Sequence, residues 1–314
     1  KRDNNLDYDV DQIVVSTGAK QSIANVCMSL LNKGDEVLIP TPYWVSYSAM
    51  VELAEGVPVF INPDEDSNYK ITAKQVESAI TDKTKMLMLN SPNNPSGSVF
   101  TEQEYLEFSK VLLKHPNIII VSDEIYEHIN YGVKSVSFGS LPGMYDRTVT
   151  VNGISKAYAM TGWRIGYLGA PKVIAKACNK MQGQITSGAN CIAQRATIKA
   201  LEESPKKIQY MVDEFKIRRD FIIDLVTKIN GFNIKQPPMG AFYIFPNISE
   251  LFGKTFKDVT VNDVNDLSML ILEKAHVATV PGDAFGYPNC IRISYSASRE
   301  QIEEAIKRIK DLLS

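Results

Sequence analysis

The sequence predicts an α/β fold: a large domain built as a three-layer, mostly parallel sheet, followed by a smaller α+β C-terminal domain. Three observations lead there. Short apolar runs alternate with longer amphipathic stretches through the first half, as expected of parallel strands joined by crossover helices. Gly and Pro punctuate the joins, as in Lys33-Gly34-Asp35, Pro40-Thr41-Pro42 and Ser91-Pro92-Asn93-Asn94-Pro95. After Gly231 the chain changes to short strands and one closing helix.

Taken in order, strands are expected at 13–16, 36–39, 57–61, 85–89, 118–122, 148–151 and 165–168. Helices are expected at 21–31, 44–53, 74–80 and 102–113, where apolar residues recur at three- and four-residue spacing. Helices at 171–184 and 191–203 come next, then a long one over 205–229 that carries the chain from one domain into the next. Strands at 241–245 and 291–294 and a helix at 300–313 complete the small domain. Residues 1–210 are expected to form the large domain and 211–314 the small one.

The 314 residues are 44% hydrophobic and 22% charged, ordinary values for a globular protein. A formal charge of -2 leaves no broad basic face, which argues against nucleic acid or a membrane surface as partner. A small molecule is the expected ligand. Cys27, Cys178, Cys191 and Cys290 are scattered without a CxxC pair, which suits a reducing cytoplasm. No apolar run reaches bilayer length, and the polar, acidic opening has none of the features of a signal peptide. His115, His128 and His276 lack metal-ligand spacing, and no nucleotide-type Gly-rich fingerprint is present. The first residue is Lys1, and 1–5 reads as the end of a surface helix, so the chain is expected to begin part-way through a longer protein.

One string carries most of the chemistry: Gly153-Ile154-Ser155-Lys156-Ala157-Tyr158-Ala159-Met160-Thr161-Gly162-Trp163-Arg164-Ile165-Gly166. Most lysines and arginines are solvated loop charges. Here, Ser, Gly and Ala crowd the lysine, so a planar group can approach an amine able to form an imine. The string resembles the lysine signature of the class I aminotransferases, of the fold-type I pyridoxal-phosphate enzymes, and fills every position of that pattern. The resemblance implies the pyridoxal-phosphate transferase fold, with Lys156 holding pyridoxal 5'-phosphate as a Schiff base and Arg164 on its phosphate.

Further motifs fit the same family in the right order. Ser122-Asp123-Glu124-Ile125-Tyr126 closes an apolar strand at the end where open parallel sheets bind ligands. The resemblance gives Asp123 the pyridine nitrogen and Tyr126 the ring's phenolic oxygen, and leaves Glu124 structural. In Asn90-Ser91-Pro92-Asn93-Asn94-Pro95-Ser96-Gly97 it places Asn94, rather than Asn93, in the site. Thr17-Gly18-Ala19-Lys20-Gln21 exposes backbone N–H groups at a helix start, a ready anion site. Gly18, Ala19 and Lys20 are therefore implied to cradle the phosphate.

Lys20 and Pro42-Tyr43-Trp44-Val45-Ser46-Tyr47 look like the bacterial aspartate aminotransferases of the Gly-x-Lys-Gln type. There the lysine faces the substrate's distal carboxylate and Trp44 would stack on the ring. Arg292, set among β-branched residues in Cys290-Ile291-Arg292-Ile293-Ser294-Tyr295, is costly to bury without an anion. It takes the family's α-carboxylate position. Phe242, in Gly240-Ala241-Phe242-Tyr243, is implied as a pocket wall.

The expected activity is ping-pong transamination between aspartate or glutamate and 2-oxoglutarate or oxaloacetate. Alternatives are a prephenate or aromatic aminotransferase, a β-lyase on the same fold, or the sensor domain of a transcription regulator. Family members are homodimers, so a homodimer is expected. An arm that precedes Lys1 in the family is expected to be needed for full turnover, leaving these 314 residues weakly active or inactive.

Overall fold

The computed structural model describes residues 1–64 and 67–314. The first half builds a seven-stranded sheet from β1 (Ile13–Ser16), β2 (Glu36–Pro40), β3 (Val57–Ile61), β4 (Thr84–Asn90), β5 (Ile119–Asp123), β6 (Thr148–Gly153) and β7 (Gly166–Gly169). The order is β1-β7-β6-β5-β4-β2-β3. Strands β2 to β6 pair parallel, while β7 runs antiparallel to both β6 and β1.

Alternation along the strands makes the three layers. Val37, Ile39, Met86, Met88 and Val121 face one core, with α1 (Ala19–Leu30) and α2 (Ser46–Leu53) over it. Leu38, Leu87, Leu89 and Ile120 face the other, under α3 (Ala73–Ala79) and α4 (Glu102–Leu113). Both helices of that second layer start on capping boxes, Thr72 with Gln75 and Thr101 with Glu104. The layers continue in α5 (Lys172–Ile185), which packs beside α1, and α6 (Cys191–Glu202).

The long helix expected over 205–229 is shorter. A 3-10 turn at Pro205–Ile208 leads into α7 (Gln209–Val226). Val212 packs with Ile125, Tyr126 and Tyr243, whereas Ile222 and Val226 join a separate core with Ile244, Leu267, Ile291, Ile302 and Ile306. That core holds β8 (Tyr243–Ile244), the hairpin β9 (Thr255–Phe256) and β10 (Val259–Thr260), α8 (Val264–Leu270), β11 (Val280–Pro281), β12 (Ile291–Ser294) and α9 (Arg299–Leu312). The strand expected over 241–245 shrinks to two residues, because Ala241 sits at φ 56 and Pro246 comes just after it. The hairpin, α8 and β11 carry too short a periodic signal to be read from sequence.

Strand register sets which residues meet at the sheet's edge. Asn90 of β4 pairs with Asp123 of β5, and Asp123 with Val151 of β6. Gly166 of β7 pairs with both Gly153 and Ser16. The ends of β1, β4, β5 and β6 and the start of β7 therefore meet at one edge of the sheet, at the carboxyl ends of the parallel strands.

Candidate active site

Every chemical motif of the large domain leaves the sheet at that edge. Between the strand ends and the C-terminal core lies a cavity of about 350 Å³. Ala19, Lys20, Trp44, Asn94, Asp123, Tyr126, Lys156, Arg164 and Arg292 all line it. Lys156 and Asp123, the amine expected to form an imine and the carboxylate expected to face it across a ring, share this one space. Asn93 turns away and donates to the Pro42 carbonyl at 3.2 Å.

The lysine lies three residues beyond β6, in a turn that puts its side chain on the cavity wall. Its Nζ stands 5.6 Å from the Tyr126 ring centroid and 5.7 Å from that of Phe242. Burial holds its pKa below the usual lysine value, and the charges of Arg292 and Arg164 push the same way, against Asp123. An amine so placed gives up its proton readily and becomes a nucleophile.

Asp123 ends β5 buried. Burial lifts its carboxyl to about 6, although Tyr47 donates to Oδ2 at 2.6 Å and the Ile125 N–H donates to Oδ1 at 3.2 Å. No cation forms an ion pair with it among the described residues. A buried carboxylate without an ion-pair partner suits a cationic ligand. Glu124 beside it is spent on structure, accepting from Ser122, Ser137 and the Phe138 N–H.

Arg164 forms the opposite wall, with Gly18 packed behind it. Gly18 caps α1 at φ 85, and a Cβ there would stand 2.4 Å from Arg164 Nη2. Gly166 is pressed as closely, since a Cβ would lie 2.1 Å from the Ala19 nitrogen. Glycine at both positions lets a guanidinium and the free N–H groups of a helix start converge on one anion. Gly18 stands behind Arg164 and is not itself part of the cavity lining. Lys20 Nζ sits 5.0 Å from the Trp44 ring centroid. Arg292 donates to Asn94 Oδ1 at 2.8 Å, while its buried Nε has no partner.

Phe242 differs from expectation. It lines an adjoining cavity of about 520 Å³, with Tyr210, Met211, Phe215 and Arg218, and stacks on Phe215. Tyr243, the first residue of β8, is the one that turns into the first cavity, while Phe242 lies in the turn before the strand.

Sequence reasoning also passed over Tyr47 and Asn90. Tyr47 looks like a core position of an amphipathic helix, and its place three residues after Trp44 is the only local hint. Asn90 Nδ2 donates to the Asp123 carbonyl at 3.0 Å, and its Oδ1 accepts from the Asn94 N–H at 2.9 Å.

The residues present fit pyridoxal phosphate. An amine of lowered proton affinity, a buried carboxylate without an ion-pair partner and a glycine-cleared anion cradle meet in one cavity with an arginine whose Nε is orphaned. Four cationic side chains face one carboxylate there, which suits a ligand set carrying phosphate and carboxylates.

Comparison with known proteins agrees. The model of the family "Aminotransferase class I and II" matches residues 1–309. A Petunia hybrida protein named bifunctional aspartate aminotransferase and glutamate/aspartate-prephenate aminotransferase is 45% identical over 318 residues, covering 100% of this chain and 66% of its own length. An aspartate aminotransferase of Rhizobium meliloti is 44% identical over 312 residues, covering 98% of this chain and 76% of its own. The crystal structure of the aspartate aminotransferase from Rhizobium meliloti superposes with a TM-score of 0.95 at 43% identity, over 100% of this chain and 80% of that one. This chain thus spans just under two thirds of the Petunia relative and about three quarters of the bacterial one. The chain belongs to the class I and II aminotransferase family.

Proposed function

We propose that the protein is a pyridoxal-phosphate-dependent aminotransferase that exchanges amino groups between aspartate or glutamate and 2-oxoglutarate or oxaloacetate, in two ping-pong half-reactions. The observation that carries this reading is the charge layout of the cavity. Lys156 and Asp123 share it, Arg164 marks one anion position, and Arg292 and Lys20 offer two more. Three anion positions match one phosphate and the two carboxylates of a dicarboxylic substrate.

When bound, pyridoxal phosphate supplies an aldehyde for imine formation and a ring that accepts electrons from the substrate α-carbon. Lys156 would be the amine that holds the aldehyde, and its Nζ would be the base that takes the substrate α-proton. Its lowered proton affinity favours both roles. Asp123 holds a proton on the ring nitrogen, with Tyr47 keeping the carboxylate aimed. Arg164 and the N–H groups after Gly18 bind phosphate. Tyr126 and Asn94 donate to the ring oxygen, and Trp44 covers the ring face. Arg292 grips the α-carboxylate with its planar fork, and Lys20 takes the distal carboxylate. In this reading, 1–210 act as the cofactor-binding domain and 211–314 as the small domain that brings Arg292.

The adjoining space lined by Tyr210, Phe215 and Phe242 favours a second reading, in which a bulkier substrate such as prephenate is also accepted. We place the protein in the cytoplasm as a homodimer. Its four cysteines are free, and no helix among the described residues is long and apolar enough to cross a membrane.

The test is direct. Cofactor-loaded protein is given aspartate and 2-oxoglutarate, and oxaloacetate is followed by coupled NADH oxidation; slow production above that of a Lys156→Ala control is expected. A protein that binds the cofactor, yet whose absorbance ignores aspartate and glutamate, would end the dicarboxylate assignment.

A further inference from the structure

Tyr243 joins the two ends of the cavity. It stands on β8 in register with Ser294 of β12. Arg292, two residues back on β12, shares that face, so the two side chains are diagonal neighbours. The Arg292 guanidinium carbon lies 4.6 Å from the Tyr243 ring centroid and 4.9 Å from that of Phe285. The Tyr243 hydroxyl lies 2.9 Å from the Tyr126 hydroxyl, with both residues buried.

Each of these hydroxyls has one proton to give. Tyr126 makes no other side-chain hydrogen bond within the chain among the described residues. If Tyr243 donates, Tyr126 keeps its proton for an acceptor inside the cavity. If Tyr126 donates, it presents only lone pairs there. An anionic acceptor in the cavity selects the first arrangement, because a hydrogen bond to a charged oxygen is the stronger of the two.

We propose that Tyr243 is a positioning residue with two separable actions. Its hydroxyl donates to Tyr126 and so polarises that residue's own O–H, strengthening the hydrogen bond it gives the ring oxygen. Its ring face holds the Arg292 guanidinium in the attitude that meets a carboxylate. The proposal rests on the transaminase reading, in which Tyr126 serves the cofactor and Arg292 the substrate. One side chain would then set both the ring oxygen's donor and the carboxylate clamp.

The test uses Y243F, Y243L, Y126F and the Y126F/Y243F double variant, each loaded with cofactor. One readout is the midpoint of the absorbance pH titration, and the other is the Kd of succinate by calorimetry. Weakening the hydrogen bond given to an anionic ring oxygen raises that midpoint. Y243F is expected to raise it by about 0.3 unit, to add nothing in the Y126F background, and to leave succinate Kd within about twofold. Y243L is expected to raise succinate Kd about tenfold, since the ring face is gone. An unmoved midpoint in Y243F, or an equal further shift in the Y126F background, would overturn the proposal, as would Y243L binding succinate as tightly as the unsubstituted protein. Y243F removes only one oxygen and remains decisive should Y243L not fold. Failure of the unsubstituted protein to bind succinate would count against the dicarboxylate reading instead, and the midpoint comparison would still judge Tyr243.

Discussion

Tyr47 donates a 2.6 Å hydrogen bond to Asp123 Oδ2 across 76 residues of chain, and both side chains are buried. A charged acceptor so far from water depends strongly on each donor it keeps. Tyr47→Phe should therefore raise the Asp123 pKa further and weaken the pairing with the ring nitrogen. A hydrogen bond to a charged group contributes about 1.5–3 kcal/mol, so cofactor affinity should fall at least about tenfold. Titrating cofactor binding across neutral and mildly alkaline pH checks this; equal affinities would show that the tyrosine is only packing.

Asp123 also predicts a pH dependence of stability in cofactor-free protein. Burial raises its folded-state pKa to about 6, above the 3.8 of a free aspartate. The unfolded chain therefore loses its proton first as pH rises. The stabilisation is fully present below about pH 4 and lost by about pH 6, on the order of 3 kcal/mol. Glu124, raised by burial from 4.5 to about 8, adds its own decline between those values, overlapping the first and continuing past it. Asp123→Asn should flatten the more acidic portion of a urea-stability profile and leave the later decline. Superimposable profiles would contradict the burial argument.

Arg292 and Lys20 should separate by substrate type. Arg292→Lys keeps the charge but loses the fork, and should weaken all carboxylic substrates about 30-fold, or about 2 kcal/mol. Lys20→Ala should spare monocarboxylic amino acids while weakening aspartate and glutamate about tenfold. Comparing KM for aspartate with that for alanine reads the difference.

Gly18→Ala should damage the anion cradle. The added Cβ meets Arg164 Nη2 at 2.4 Å, and φ 85 is strained for alanine. A stability loss of about 1–2 kcal/mol is expected, together with weaker binding of inorganic phosphate to cofactor-free protein. Phosphate protection against thermal unfolding provides the measurement.

Borohydride should fix the cofactor to Lys156 and nowhere else. Reduction and peptide mapping ought to find the label on the peptide holding Gly153 to Arg164, and Lys156→Ala should remain unlabelled. Label on another lysine would remove the central assignment.

Much of the fold was legible because the strands of the large domain are continuous apolar runs with Gly and Pro between them. The seven expected strands all form, each displaced by no more than two residues at either end. The small domain was harder. Its strands β8 to β11 have two residues each, too short for a period to show, and β8 pairs with β12 about 50 residues further along the chain.

By itself the sequence determined the chemistry on offer: which amine, carboxylate and guanidinium stand in which local motif, and which strand end presents each. Those features are set by spacing within a dozen or so residues. Tertiary structure alone decided that Asn94 meets Arg292 from 198 positions away, that Tyr243 and not Phe242 enters the cavity, and that Asp123 is held by Tyr47. Burial is a property of the packed chain, so the shifted proton affinities of Lys156 and Asp123 arise only once sheet, helices and C-terminal core close around them.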